Sequence, residues 1–283
     1  AQGCALGLDP CRRSGGDGVI PYYSDDAVTI YHGDCREVLP NLRGVSGVVT
    51  SPPYAEQRAA LYGGIPEGEY DQFSVAWMSA ALPSLLPGAS VLINIREHVK
   101  NGEMSDYVHR TRMAIRSAGW IECDELIWVK PDGPPLGNPN RLRRSWERIL
   151  WFSRDRQPTS YPLANGRESG RLGFQGGRAS EAWVNGMSDG LKSGRSRSAD
   201  YCVVSVGDRP SSIEHPAVYP EKLAAWMFRT ITADGETIVD PFMGSGSTLV
   251  AAKYGGRKAI GIELSERYCE IAARRMAQEV LSL

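Results

Sequence analysis

Short apolar runs alternate with stretches of helical periodicity through most of the chain, the pattern of a sheet with crossover helices. Strands are predicted at 28–32, 45–50, 90–95, 122–130, 148–153, 237–240 and 258–263. Helices are predicted at 36–42, 73–86, 107–118, 221–232, 248–254 and 265–281. In the last helix Tyr268, Ile271, Ala272 and Met276 recur at helical spacing and mark its buried face. The runs at 122–130 and 148–153 are too apolar for an exposed sheet edge. Two segments break the pattern. Residues 1–18 hold five glycines and no periodic apolar positions, so a poorly ordered lead-in over 1–20 is expected. Between Arg154 and Asp200, glycines at 166, 170, 173, 176, 177, 186, 190 and 194 leave almost no aliphatic run, and such a stretch cannot bury a core of its own. The expected organisation is therefore an α/β domain in two halves, 21–153 and 201–283, with a small irregular lobe at 154–200 between them.

Composition narrows the class. With 283 residues, a net charge of −1 and 42% hydrophobic residues, the chain is an ordinary globular protein, which excludes disorder, collagen and coiled coil. No apolar run approaches the roughly 18 to 20 residues that a membrane span needs, and no charged-then-apolar leader opens the sequence, so a cytoplasmic protein with no membrane partner is expected. The six cysteines form no C-x-x-C pair and have no histidine at a zinc-ligand spacing, so reduced thiols and no metal are expected. The near-zero charge conceals an imbalance: over 140–200 twelve cations face six anions, a local +6. A Gly/Arg/Ser stretch carrying Trp183 reads as a binding lobe rather than a solvated linker.

Two segments carry chemistry. Thr237-Ile-Val-Asp-Pro-Phe-Met-Gly-Ser-Gly-Ser-Thr248 is a buried strand that breaks at Asp240-Pro241 into a glycine loop and enters a helix, which places a ligand at the carboxyl end of a strand. Gly244 and Gly246 allow close backbone approach, and the helix N-terminus offers free N–H groups. Glu263, seventeen residues after Gly246, ends the next strand, where a carboxylate accepts both hydroxyls of a ribose. A dinucleotide usually brings a third glycine, and here that position is Leu249. S-adenosylmethionine fits better, with Asp240 for its amino-acid end and Glu263 for its ribose.

The second segment is Val48-Val-Thr-Ser-Pro-Pro-Tyr54. Pro52 and Pro53 fix the backbone, so the Ser51 hydroxyl and the Pro52 carbonyl are preset acceptors. Tyr54 adds a flat face. Two converging acceptors beside an aromatic plate suit a planar ring with an exocyclic NH2, such as a nucleobase taken out of its stack. Ala55 to Glu69, with Gly63, Gly64 and Gly68, reads as a flap over that base.

These motifs together resemble the amino-group DNA methyltransferases of bacteria and phages. Ser51 to Tyr54 looks like the family's catalytic motif, and Asp240 to Thr248 (Asp-Pro-Phe-Met-Gly-Ser-Gly-Ser-Thr) like its cofactor loop. His215-Pro216-Ala217-Val-Tyr-Pro220 resembles the segment before a helix that points at the cofactor's methionine end, and Gly33-Asp34-Cys35 the segment that contacts its adenine. The catalytic motif precedes the cofactor loop with a variable lobe between, the permuted order of the β subgroup. The resemblance implies a Rossmann-like mixed sheet and S-adenosylmethionine held by Asp34, Cys35, His215, Pro216, Ala217, Asp240, Pro241, Phe242, Gly244, Ser245, Gly246, Ser247, Thr248, Glu263 and Leu264. It implies catalysis by Ser51, Pro52, Pro53 and Tyr54, and recognition of double-stranded DNA by the lobe, with Arg171, Arg178, Arg195 and Arg197 as candidates. A partner restriction endonuclease is a further expectation. In this family a Ser in the first motif position goes mostly with N4 of cytosine and an Asp with N6 of adenine, so cytosine is favoured and adenine is the alternative. Methylation of RNA or of a protein glutamine, and a silent DNA-binding module, are the rival readings.

Overall fold

The computed structural model describes residues 19–56, 64–132, 140–166, 197–207 and 219–277. Its elements in chain order are β1 (Tyr23–Ser24), β2 (Val28–His32), α1 (Cys35–Val38), β3 (Val45–Thr50), α2 (Tyr70–Ala81), β4 (Leu85–Ile95), β5 (Val99–Lys100), β6 (Glu103–Met104), α3 (Tyr107–Ser117), β7 (Ile121–Val129), β8 (Trp146–Ser153), β9 (Tyr201–Val203), α4 (Glu221–Ile231), β10 (Thr237–Asp240), α5 (Ser247–Tyr254), β11 (Lys258–Glu263) and α6 (Glu266–Ala277).

Among the described residues nine strands form one mixed sheet in the order β1-β2-β11-β10-β3-β4-β8-β7-β9. The run from β2 to β4 is parallel. Only β8, inserted antiparallel between β4 and β7, and the short edge strand β1 run against it. β3 pairs with β10 although most of the chain lies between them, because the sheet is wound outward from its centre. All six residues of β3 are buried, as a strand covered on both faces requires. One face packs under α4, α5 and α6 through Leu223, Met227, Phe228, Leu249, Ala272 and Met276. The other packs under α1, α2 and α3 through Val38, Trp77, Met78, Val108, Ile115 and Phe152. The result is a three-layer α/β fold of Rossmann-like type.

The predicted strands are present, and β7 and β8 are interior as their apolar runs require. The helix predicted at 73–86 is instead Tyr70–Ala81, followed by a 3-10 turn at Leu82–Ser84. Pro83 cannot continue a helix, and Leu85 already pairs with Val45 as strand. The hairpin β5–β6 and the edge strand β9 have too few residues for a period to register.

The lobe enters from the end of the sheet opposite the carboxyl ends of the parallel strands. Arg154 to Gly166 follow β8 past the start of β4, where Thr159 N–H donates to Gly88 O at 3.0 Å, and on to α4, where Tyr161 N–H donates to Thr230 O at 2.8 Å. No described helix is long and apolar enough to cross a membrane.

Candidate functional site

The register Val48↔Val239 sets the carboxyl ends of β3 and β10 side by side. Thr50 Oγ1 donates to Asp240 Oδ1 at 2.6 Å, so the two motifs read separately in the sequence form one structure. Asp240 is buried and also accepts from Thr248 Oγ1 (2.5 Å) and Phe242 N–H (3.0 Å). Burial raises its carboxyl from 3.8 to about 6, against these three hydrogen bonds, which lower it. The Tyr219 hydroxyl is hydrogen-bonded to Thr248, which docks the entry of α4, N-capped by Pro220, onto the loop.

In the glycine loop Gly244 (φ 54°) and Gly246 (φ 84°) adopt left-handed backbone. A Cβ on Gly246 would also lie 3.0 Å from that of Ala272 in α6. Pro241 is buried, and so are Ser245 and Ser247. Among the described residues the Ser247 hydroxyl has no hydrogen-bond partner. Arg275 of α6 clamps the loop from behind, donating to Ser245 O and pairing with Glu221 of α4, each at 2.5 Å.

Glu263 ends β11 with its carboxylate committed in part: Oε2 accepts from Gly244 N–H (3.0 Å) and Oε1 from Ser265 N–H (2.9 Å). Burial raises this carboxyl, opposed by the same two N–H groups. Each oxygen retains a second lone pair for a further donor. Leu264 follows it, 60% exposed, at the mouth of the crevice. Asp34 N-caps α1 by accepting from Arg36 N–H (2.8 Å), and its other contacts are to the Arg36 guanidinium. Arg36 beside it holds the Asp34 carboxyl below the ordinary range. Cys35 is buried, its thiol pushed up to about 12 by burial and the neighbouring Asp34. Phe242 turns into the core against Phe73 (5.7 Å between ring centroids) and Trp77 (5.6 Å). His215, Pro216, Ala217, Arg171, Arg178 and Arg195 lie outside the described residues, and Arg197 is exposed.

In the turn after β3, Pro52 is buried and Ser51, Pro53 and Tyr54 are half-buried. The sequence reading missed what lies behind Tyr54. Its hydroxyl donates to Glu147 Oε2 on β8 at 2.8 Å. Asn94 of β4 donates through Nδ2 to the same oxygen (2.9 Å) and to the Tyr54 hydroxyl (3.2 Å). Lys130, just past β7, donates to Glu147 Oε1 at 2.7 Å, and the Arg96 guanidinium stands 3.6 Å from it. Lys130 and Glu147 are only 5% and 6% exposed. Burial alone would raise the Glu147 carboxyl, but Lys130, Arg96 and Asn94 together hold it below the ordinary range. Burial, and the charge of Glu147, raise the Tyr54 phenol well above its ordinary value, so it keeps its proton. The signal was a lone acid and a lone lysine in two apolar runs. Including Glu147 and Arg148 in the charge count over 140–200 hid it, since Arg148 is paired with Glu97 and Glu125.

Beside this turn Glu56, Glu67 and His98 bring three metal-ligand side chains together. Their carboxylates already hold Lys100, Arg110 and the Ser105 hydroxyl, so this is an ion-pair knot joining both stems of the 55–69 segment to the β5–β6 hairpin. Residues 57–63 of that segment lie outside the described residues.

A family model described as DNA methylase, of the N6/N4 class, matches residues 45–274. The chain belongs to this family. It is 26% identical over 282 residues to the type II methyltransferase M.ScaI of Streptomyces caespitosus, covering 93% of this chain and 86% of that protein. It is 23% identical to the type II methyltransferase M2.DpnII of Streptococcus pneumoniae, covering 92% and 93%. Among solved structures, the PvuII DNA methyltransferase (cytosine-N4-specific) matches with a TM-score of 0.72 at 22% identity, over 93% of this chain and 90% of that one. A protein of Thermus thermophilus, solved in complex with S-adenosyl-L-methionine, matches at 0.57 with 26% identity, over 90% and 96%. The DNA methylase family model begins at β3 and ends within α6, so it spans both motifs and the pairing of β3 with β10.

Proposed function

We propose that this DNA methylase transfers a methyl group from S-adenosylmethionine to N4 of a cytosine extruded from duplex DNA, at a site chosen by the 154–200 lobe. The observation that carries the reading is the Thr50–Asp240 hydrogen bond, 2.6 Å long, which locks the Ser51–Tyr54 turn against the glycine loop. Residues that suit the cofactor and residues that suit a planar amine thereby meet at one crevice.

The cofactor is S-adenosylmethionine, and the described residues fit it. The left-handed glycines leave room for its amino-acid end, the Ser247 hydroxyl has no partner among the described residues, and Glu263 keeps lone pairs for a ribose. When bound it supplies an electrophilic methyl on a cationic sulfur. Asp240 offers a carboxylate to the cofactor's ammonium, and Leu264 an apolar face to its adenine. Ser51 Oγ and Pro52 O draw the two hydrogens of the target amine, whose lone pair is otherwise delocalised into the ring, and Tyr54 holds the ring by stacking. This is catalysis by positioning and by acceptors preset before the base arrives.

Cytosine is favoured over adenine by Ser51, and by the likeness to the PvuII enzyme, which is described as cytosine-N4-specific. The protein acts in the cytoplasm, and a restriction endonuclease of matching site is the partner to seek. Incubation with duplex DNA and labelled cofactor, followed by mass spectrometry of the nucleosides, tests the chemistry. N4-methylcytosine is expected. N6-methyladenine alone would move the reading to the other base, and cofactor binding with no methylated base would make the chain a silent DNA-binding module. Sequencing modified bases in a host that expresses the chain gives the recognised site.

A further inference from the structure

We infer that Glu147 is a positioning residue for Tyr54: with Asn94 and Lys130 it pins the phenol hydroxyl, and so fixes the tilt and depth of the ring on which the extruded base stacks. The inference rests on the proposal that Tyr54 holds that base.

Pro52 and Pro53 fix the backbone ahead of Tyr54 but leave its ring two torsions, the second of them broad. Packing removes only part of that freedom, since the ring lies against the core on the α1–α3 side and Tyr54 is half-buried. The hydroxyl is the end of the ring farthest from the backbone, so a contact there sets the tilt more firmly than one near Cβ. Two contacts are made there. The hydroxyl donates to Glu147 Oε2 at 2.8 Å and accepts from Asn94 Nδ2 at 3.2 Å. The clamp is itself held, because Asn94 Nδ2 also donates to Glu147 Oε2 at 2.9 Å and Lys130 Nζ donates to Glu147 Oε1 at 2.7 Å. Tyr54, Asn94 and Glu147 thus close a triangle of hydrogen bonds that ties the turn after β3 to β4 and β8, with Lys130 behind it just past β7. Against its burial, Lys130, the Arg96 guanidinium 3.6 Å away and Asn94 keep Glu147 ionised, and a charged acceptor holds a phenol more strongly than a neutral one.

Stability alone does not account for this arrangement. A buried ion pair gains little over apolar residues of similar size, and Trp128, Ile149 and Leu150 on the same two strands are apolar and buried. The charges stand instead where they reach the one aromatic side chain of the Ser51–Tyr54 turn.

Tyr54→Phe keeps the ring and removes the pinned hydroxyl. In single-turnover transfer from labelled S-adenosylmethionine to duplex DNA carrying the methylated site, it should be at least fivefold slower than the parent. Its dissociation constant for S-adenosylmethionine and its midpoint of thermal unfolding should stay close to the parental values. Glu147→Leu alone would strand Lys130 in the core, so the clamp is removed from its other side by the double Lys130→Met/Glu147→Leu, which should be as slow. Combining it with Tyr54→Phe should cause no further loss, since both release one hydroxyl. Lys130→Met/Glu147→Gln keeps an acceptor for the hydroxyl and should be at least threefold faster than the leucine form, a rescue that general loosening of the sheet would not produce. With 2-aminopurine in place of the target base, the slow variants should give a brighter complex, because an extruded base that is not stacked on a ring escapes quenching. Transfer by Tyr54→Phe at the parental rate would overturn the inference, as would multiplying losses in the combined variant or equal loss in the leucine and glutamine forms. Tyr54→Ala separates the two readings. A slow Tyr54→Ala beside a Tyr54→Phe at parental rate sinks the anchoring inference alone, whereas Tyr54→Ala at parental rate sinks the stacking reading on which it rests.

Discussion

Asp240 holds its proton more tightly in the native state than in the unfolded chain, since burial moves its carboxyl from 3.8 to about 6. Its contribution favours folding most below pH 3.8 and is lost as pH rises through about 6, so at neutral pH the buried charge costs about 3 kcal/mol. Asp240→Asn should therefore flatten the dependence of stability on pH between about 4 and 6, as read by urea unfolding at several pH values. If the same carboxylate receives the cofactor's ammonium, the parent should lose affinity for S-adenosylmethionine about tenfold per pH unit below about 6, and titration calorimetry should detect proton release there. A second expectation concerns Glu263→Ala, which should weaken S-adenosylmethionine binding by about 1.5 to 3 kcal/mol through loss of a charged acceptor. It should also lower the thermal midpoint, because Gly244 and Ser265 lose the acceptor that pins the loop. Unchanged affinity in calorimetry would place the ribose elsewhere. At this scale the sequence showed Ser51, Tyr54, Asp240 and Glu263, since each stands where an apolar strand ends in a turn. It hid Glu147, Lys130 and Asn94, because partners on β8, just past β7 and on β4 leave no local spacing to read. Asp34 carries a helix cap and an ion pair with Arg36, a structural duty that a motif match does not reveal.

Among the elements, β11 shows how closely the glycine loop is packed. Gly261 lies where a Cβ would be 2.3 Å from Met243 Sδ and 2.7 Å from Leu249 Cδ2, so the strand has a glycine because the loop and α5 rest directly on its backbone. Gly261→Ala should cost about 1 to 3 kcal/mol by overpacking and loosen the loop above it. Chemical denaturation and the dissociation constant for S-adenosylmethionine measure the two effects, and a variant unchanged in both would mean that Met243 swings aside freely. The strands were legible because each is an apolar run bounded by turn residues. The end of α2 was not, since Leu82, Leu85 and Leu86 continue an apolar pattern while Pro83 has already ended the helix. β9 escaped notice because a three-residue strand with one buried side chain, Cys202, has no period.

On the scale of the whole molecule the two ends of the sheet carry different arginines. Arg154 and Arg156 follow β8 at the end away from the crevice, whereas Arg141, Arg143 and Arg144 precede β8 at the crevice end. Replacing Arg171, Arg178, Arg195 and Arg197 singly with Ala, and sequencing the methylated sites, should broaden the recognised motif in at least one case. A base-reading arginine is worth about 1 to 3 kcal/mol at one position, and a phosphate contact instead lowers the salt slope by about one. Arg156→Ala should change neither. If all four lobe variants keep motif and salt dependence, recognition moves to the Arg141–Arg144 cluster. The pairing of β3 with β10 has a consequence for biosynthesis. The ribosome delivers β3 and β4 long before β10, and until then the edge of β3 that faces β10 has no neighbour, while Thr50 waits for Asp240. The crevice is thus among the last features to close, after a long loop has paid its closure entropy, and the nascent first half is an open-edged sheet that invites chaperones or association with its own copies.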